Sequence, residues 1–138
     1  MTIFLDSSVL LRKLFGEKDQ LVEWAQIRSA YASRLLAVEV GRVIDRGRLA
    51  GNINDEQVAD LQAELRRVLR SIDIRPVTEA VLDRAAAAMP TMVGTLDAIH
   101  LATALDVAGT ISERLTMATH DQQLGRAARA SGFEVVGL

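Results

Sequence analysis

The segment GTLDAIHLATALDVAG, residues 94–109, combines a long apolar helical pattern with a carboxylate near its beginning. From Ala98 to Ala108 most residues are Ala, Leu, Ile or Val, which predicts a buried helix. Asp97 stands immediately before this run. It fits an N-cap, because an Asp side chain accepts hydrogen bonds from the free amides of a first helical turn. It equally fits a metal ligand, and this segment alone leaves both roles open.

The length and composition indicate one globular domain. A chain of 138 residues can bury one sizeable core, so we expect a single domain over residues 1–138. Hydrophobic residues make up 49% and charged residues 25%, which is typical of soluble proteins. The chain has no cysteine, which excludes disulfides, thiol catalysis and cysteine-ligated zinc and is compatible with a reducing cytoplasm.

The sequence predicts no contact with a membrane. No apolar run approaches the roughly 18 residues that cross a bilayer. The opening residues, MTIFLDSS, carry no basic leader, so we expect no signal peptide and a cytoplasmic location. The formal net charge of −2 predicts no strong overall attraction to nucleic acid. Any affinity for nucleic acid would therefore depend on local basic patches. The cluster of Arg66, Arg67 and Arg70 fits either phosphate contacts or a solvated basic face.

Short β-like segments alternate with helical ones along the chain. This alternation predicts an α/β domain with a mostly parallel central sheet flanked by helices. Strands are predicted at 2–5, 30–33, 74–77, 114–119 and 133–137. Helices are predicted at 8–15, 19–29, 35–51, 54–72, 78–89, from 97 onward, and at 121–131.

Two aspartates follow predicted strands directly. Asp6 comes after strand 2–5, and Asp121 comes after strand 114–119. The carboxyl ends of parallel strands share one edge of a sheet, so both side chains are expected at the same crevice. Each Asp also fits an N-cap of the helix that follows it.

Glu39 lies on a mainly apolar helix face. Its neighbours three and four residues away are Leu35, Leu36, Arg42 and Val43. A buried carboxylate needs a partner, because desolvating it alone costs several kcal/mol. The partner is either Arg42, in an ion pair, or a cation that Glu39 helps to bind.

Together, the four acids point to metal-dependent chemistry. Carboxylate oxygens suit hard cations such as Mg²⁺ and Mn²⁺. A divalent ion would offset the repulsion between clustered carboxylates, polarise a phosphate and activate water. Hydrolysis of a phosphodiester is therefore the predicted reaction class.

Four sequence blocks carry a family resemblance that extends over nearly the whole chain. They are IFLDSSVLL (3–11), ASRLLAVEVGR (32–42), LDAIHLATAL (96–105) and LTMATHDQQLGRAARASGFEVV (115–136). In this order they resemble the PIN-domain fold, and in particular the VapC toxins of bacterial VapBC toxin–antitoxin pairs.

The resemblance implies a three-layer α/β/α domain and an endoribonuclease that depends on Mg²⁺, with Mn²⁺ as a substitute. It places the acidic metal site at Asp6, Glu39, Asp97 and Asp121, with Ser8 as a hydroxyl near the phosphate or the metal-bound water. Asp97 would then both cap its helix and serve the site. The resemblance also implies a homodimer, an RNA substrate and a VapB-type antitoxin that joins the toxin in a hetero-oligomer.

The main alternative is a catalytically silent PIN-like binding module whose acidic pocket only receives a basic side chain of a partner. Phosphotransfer folds fit less well: a dehalogenase-type site needs an Asp where Ser8 stands, and a receiver needs a late lysine, whereas no lysine follows Lys18. Dinucleotide binding fails because no G-x-G-x-x-G follows the first strand.

Three further polar residues stand close to the predicted site residues in sequence. We expect His100 to be a packed, hydrogen-bonded core residue, because an oxygen-rich Mg²⁺ site seldom needs imidazole. His120 is expected to be exposed. Thr119 is expected to pack within its strand, with support of the site through its hydroxyl as the alternative.

Overall fold

A computed structural model describes residues 1–138 and contains one five-stranded sheet. The central strand β1 (Thr2–Leu5) pairs on one side with β2 (Ser29–Ser33) and on the other with β4 (Leu115–Ala118). The outer strands are β3 (Asp73–Arg75), beside β2, and β5 (Glu134–Val136), beside β4. All four pairings are parallel, so the predicted parallel sheet is confirmed.

Six α-helices connect and cover these strands. They are α1 (Ser7–Leu14), α2 (Leu35–Leu49), α3 (Asp55–Ser71), α4 (Glu79–Ala86), α5 (Thr95–Thr110) and α6 (Gln122–Ala130). None of the helices is long and apolar enough to cross a bilayer.

The helices form two layers because the side chains of β1 alternate between the faces of the sheet. Ile3 and Leu5 belong to a core with residues of α1, α2 and α3, whereas Phe4 belongs to a second core with residues of α5 and α6. Helix α4 packs on α5. The predicted three-layer α/β/α architecture is therefore confirmed.

Helix α3 illustrates how local signals define an element. Asn54 caps it, and Asn54 and Gln57 form a reciprocal capping box with two hydrogen bonds of 2.9 Å. The apolar residues of α3 and its C-cap pack inward: Leu65 is buried, and Val58, Leu61, Val68 and Ile72 are partly buried against the first core.

The helix predicted over 19–29 is wrong. Asp19 adopts a left-handed conformation with φ 57°, which interrupts a helix. Only a short 3₁₀ helix, Val22–Gln26, forms in this segment. Val22 is 87% exposed, so the apolar residues here do not make the continuous buried stripe that a long helix needs.

The strand order places a crevice at the carboxyl ends of β1 and β4. From β1 the chain continues to β2 on one side, while β4 lies on the other side. α/β proteins bind ligands where the direction of the strand order reverses in this way, beyond the carboxyl ends of the strands. Asp6 follows β1 and Asp121 follows β4, so both begin their helices at this crevice.

Candidate active site

Asp6 is the most firmly held acid of the site. It is the N-cap of α1 and is only 3% exposed. Its Oδ2 accepts hydrogen bonds from the backbone N–H of Ser8 (3.3 Å), from Ser8 Oγ (2.5 Å) and from Thr119 Oγ1 (2.9 Å). Every hydrogen bond from the chain thus reaches Oδ2, and Oδ1 stays uncommitted.

The hydroxyls of Ser8 and Thr119 are oriented by the loop that follows β4. Ser8 Oγ accepts a hydrogen bond from the backbone N–H of His120 (2.9 Å), and Thr119 Oγ1 accepts one from that of Asp121 (3.0 Å). Because each hydroxyl accepts from an amide, its own proton is available for Asp6. Of the two roles weighed for Thr119, the structure therefore favours support of the site through its hydroxyl over packing alone.

Asp121 caps α6, as its position predicted. Its Oδ1 accepts hydrogen bonds from the backbone N–H groups of Gln123 (2.7 Å) and Leu124 (2.9 Å). Its Oδ2 receives no hydrogen bond from the chain, so one oxygen remains uncommitted here as well.

Asp97 does not cap its helix, which corrects the sequence prediction. Helix α5 begins at Thr95 with Gly94 as N-cap, and no side chain caps it. Asp97 is therefore the third residue of the first turn, where the positive end of the helix dipole still favours a carboxylate. It is half-buried and accepts no hydrogen bond from the chain.

The electrostatics of Asp97 show that the four acids act on one another. Burial raises the pKa of Asp97, the charges of Asp121, Asp6 and Glu39 raise it further, and His100 opposes them, giving a pKa of about 6. Four segments that are distant in sequence thus concentrate negative charge in one region.

Glu39 on α2 binds His100 rather than Arg42. Its Oε2 lies 2.5 Å from Nε2 of His100. The side chain of Glu39 is 20% exposed and that of His100 is fully buried, so the expected packed, hydrogen-bonded histidine is confirmed. Of the two partners that the sequence left open, the ion pair with Arg42 does not form, because Arg42 pairs with Asp45 at 3.0 Å.

The charge state of His100 reflects its acidic surroundings. Burial lowers the pKa of His100, but the hydrogen bond with Glu39 and the charges of Asp6, Glu39 and Asp97 together raise it above its ordinary value. The histidine is therefore part of the electrostatic network of the acids.

His120 is half-buried, in contrast to the predicted exposure. Its Nδ1 lies 2.5 Å from the carbonyl oxygen of Gly137, just past β5. Gly137 has φ 96°, and a Cβ there would approach the carbonyl oxygen of Thr119 to 2.8 Å. A glycine at this position therefore lets the end of the chain pack against the loop that holds Ser8.

The donor set fits a hard divalent cation. Each of the four acids keeps at least one oxygen without a hydrogen bond from the chain, and oxygen donors with net negative charge are what Mg²⁺ and Mn²⁺ prefer. No three acidic or histidine side chains lie close enough to hold an ion as they stand. The site thus offers suitable donors without a closed coordination shell.

Sequence comparisons agree with this fold. A family model described as PIN domain matches residues 3–130. The chain therefore belongs to the PIN-domain family. Ribonuclease VapC46 of Mycobacterium tuberculosis (strain ATCC 25618 / H37Rv) is 32% identical over 138 residues, covering 97% of this chain and 95% of the relative. Ribonuclease VapC47 of Mycobacterium tuberculosis (strain CDC 1551 / Oshkosh) is 31% identical, covering 95% and 93%.

Solved structures share the fold at lower sequence identity. A toxin–antitoxin complex from Klebsiella pneumoniae matches with a TM-score of 0.67 at 16% identity, covering 97% of this chain and 95% of the other. VapBC2 from Rickettsia felis, bound to a DNA fragment from its promoter, matches with a TM-score of 0.62 at 10% identity, covering 98% and 97%. These likenesses extend the agreement over the whole α/β/α architecture.

Proposed function

We propose that this protein is a divalent-metal-dependent endoribonuclease and the toxin of a type II toxin–antitoxin pair. The observation that carries the proposal is that the fold brings together Asp6, Glu39, Asp97 and Asp121, which begin or lie on four different helices. The charges of the other three acids help to raise the pKa of Asp97. Natural proteins rarely gather carboxylates without a cation or proton to offset their repulsion. The similarity to two VapC ribonucleases supports RNA as the substrate.

In this proposal Asp6, Glu39, Asp97 and Asp121 hold Mg²⁺, or Mn²⁺ in its place. When bound, such an ion neutralises charge on a phosphodiester and activates water as the nucleophile. Asp97, with a pKa of about 6, is mostly ionised at neutral pH and is ready to bind a cation.

The hydroxyl of Ser8 serves the proposed site by holding Asp6. Its proton is directed to Asp6, and its oxygen accepts the amide of His120. Ser8 therefore orients a ligand and does not attack the substrate.

The proposed partners are RNA, a VapB-type antitoxin and a second copy of this chain, in a cytoplasmic complex built from single-domain toxin subunits. Two structural neighbours are toxin–antitoxin or VapBC assemblies, which supports the antitoxin. An acidic pocket can receive an arginine side chain in place of a cation, and this gives inhibition a physical basis.

A catalytically silent binding module is the second candidate. It is favoured by the absence of any three acidic or histidine side chains close enough to hold an ion. In that case the pocket would serve only to receive a basic side chain.

Cleavage of RNA by the purified protein discriminates between these functions. We expect single-stranded RNA to be cut in the presence of Mg²⁺ or Mn²⁺, to survive in excess EDTA, and to survive with Asp97→Asn. RNA that stays intact with the unaltered protein at saturating Mn²⁺ would support the silent module, and cleavage that persists in EDTA would exclude the proposed metal dependence.

A further inference from the structure

The contact between His100 and Glu39 joins the two helical layers of the protein. Glu39 lies on α2, in the layer with α1 and α3, whereas His100 lies on α5 in the opposite layer. The two residues are 61 positions apart in sequence. This is the one hydrogen bond that the chain provides to the carboxylate of Glu39.

The surroundings of His100 fix its ring. The side chain is fully buried, and the ring of Phe4 meets it edge-on, with centroids 6.5 Å apart and an interplanar angle of 72°. Phe4 is buried on the central strand β1, so the imidazole packs against the middle of the sheet.

The hydrogen bonds of His100 indicate which of its ring nitrogens carries the proton that is donated to Glu39. An ionised carboxylate only accepts, so Nε2 carries the proton and donates it to Oε2 of Glu39. The other ring nitrogen, Nδ1, is buried without a partner. Burying an unpaired nitrogen is unfavourable, and a leucine would fill this core position without that cost. The imidazole thus has one polar contact, and that contact is with a site acid.

We propose that His100 is a positioning residue, which holds Oε2 of Glu39 so that Oε1 is left for a divalent ion. This inference rests on the proposed function. The same arrangement occurs at two other acids: hydroxyls hold Oδ2 of Asp6, and helix amides hold Oδ1 of Asp121. Groups that orient metal ligands from behind typically change metal affinity when they are removed.

The test is Mn²⁺ binding by titration calorimetry at a fixed neutral pH. His100→Leu removes the donor and is expected to weaken Mn²⁺ binding by about 10- to 100-fold. His100→Gln restores an amide donor near the position of Nε2 and is expected to bind nearly as tightly as the unaltered protein. Thr103→Val is the matched control, because Thr103 is also buried on α5 but its hydroxyl bonds only to the carbonyl of Ile99.

A second comparison separates positioning from general packing. If His100 acts through Glu39, adding His100→Leu to Glu39→Gln causes no further loss of Mn²⁺ affinity. A packing role predicts that the two losses add. If circular dichroism shows that His100→Leu is unfolded, His100→Asn takes its place, because its shorter amide leaves the Nε2 position without a donor.

The outcomes distinguish this proposal from the proposed function. An unaltered protein that binds no Mn²⁺ contradicts both. An unaltered protein that binds Mn²⁺, together with a folded His100→Leu or His100→Asn of equal affinity, contradicts the role of His100 alone. The positioning role is also overturned if the losses of Mn²⁺ affinity add in the double variant, or if His100→Gln binds Mn²⁺ as weakly as His100→Leu.

Discussion

The hydroxyl of Thr119 donates a 2.9 Å hydrogen bond to Asp6, a residue 113 positions away in sequence. The bond joins the carboxyl ends of the neighbouring strands β1 and β4. Through it, the segment that carries Asp121 also fixes the orientation of Asp6. The candidate site is thus held together at the carboxyl ends of two neighbouring strands of the sheet.

Replacement of Thr119 tests this coupling. Thr119→Val leaves the buried Asp6 with one hydrogen bond fewer, so we expect the free energy of unfolding to fall by about 1–3 kcal/mol and Mn²⁺ affinity to fall with it. Urea denaturation and calorimetry measure the two effects. Thr116→Val is the control, because Thr116 is buried on β4, three residues before Thr119, and makes no hydrogen bond with a site acid. Equal losses in both variants would contradict the coupling.

Asp6 and Asp97 are expected to differ in their effect on folding. Asp6→Ala removes an N-cap and the acceptor of two hydroxyls, and should lower the free energy of unfolding by about 1–3 kcal/mol. Asp97→Asn removes no hydrogen bond within the chain and relieves repulsion, so the metal-free variant should be at least as stable as the unaltered protein. Thermal unfolding in EDTA measures both, and a destabilised Asp97→Asn would contradict the electrostatic account.

The pH dependence of stability follows from the raised pKa of Asp97. Its pKa rises from 3.8 to about 6 on folding, so between these values the folded state holds a proton that the unfolded state has released. The free energy of unfolding of the metal-free protein should therefore decrease as pH rises from about 4 to 6. The pKa of His100 is also raised on folding, so the free energy of unfolding should decrease further as pH rises above 6.5, the ordinary pKa of a histidine.

The difference between the unaltered protein and Asp97→Asn isolates the Asp97 contribution. Denaturation in EDTA at several pH values should show the stability of the two proteins diverging in favour of Asp97→Asn between pH 4 and 6. A constant difference over this range would mean that the pKa of Asp97 is not raised.

Arg42 provides a test of which partner Glu39 uses. The exposed Arg42 pairs with Asp45, and ion pairs at a protein surface contribute little to stability. Arg42→Ala should therefore leave Mn²⁺ affinity unchanged and stability nearly so. Loss of Mn²⁺ binding in this variant, measured by calorimetry, would restore the ion pair between Glu39 and Arg42 as the correct interpretation.

Much of the fold follows from local pattern. The compact apolar run 2–5 predicts a buried strand, and all four of its residues are buried in the central strand. The capping box at Asn54 defines the start of α3. The segment 19–29 could not be predicted in this way, because the spacing of its apolar residues resembles that of a helix. The left-handed backbone of Asp19 and the exposure of Val22 depend instead on the path of the chain over the surface of the folded protein.

The acids of the candidate site could be predicted from the sequence, but the hydrogen bonds that hold them could not. Strand ends and an apolar helix face single out Asp6, Asp121 and Glu39 from sequence, and the structure brings these residues near Asp97. The partner of Glu39 was missed because it comes from another layer, 61 residues away. Thr119 offered a signal, since it stands two residues before Asp121 at a strand end, but its bond to Asp6 depends on β1 and β4 being neighbours.

Direct binding of Mn²⁺ tests the central claim, that the four acids form one divalent-ion site. Calorimetric titration at pH 7.5 should show saturable binding to the unaltered protein and none to Asp97→Asn. The control is Asp106→Asn, which removes an exposed acid from the same helix and should bind normally. Absence of saturable binding to the unaltered protein, or equal binding by Asp97→Asn, would contradict the account.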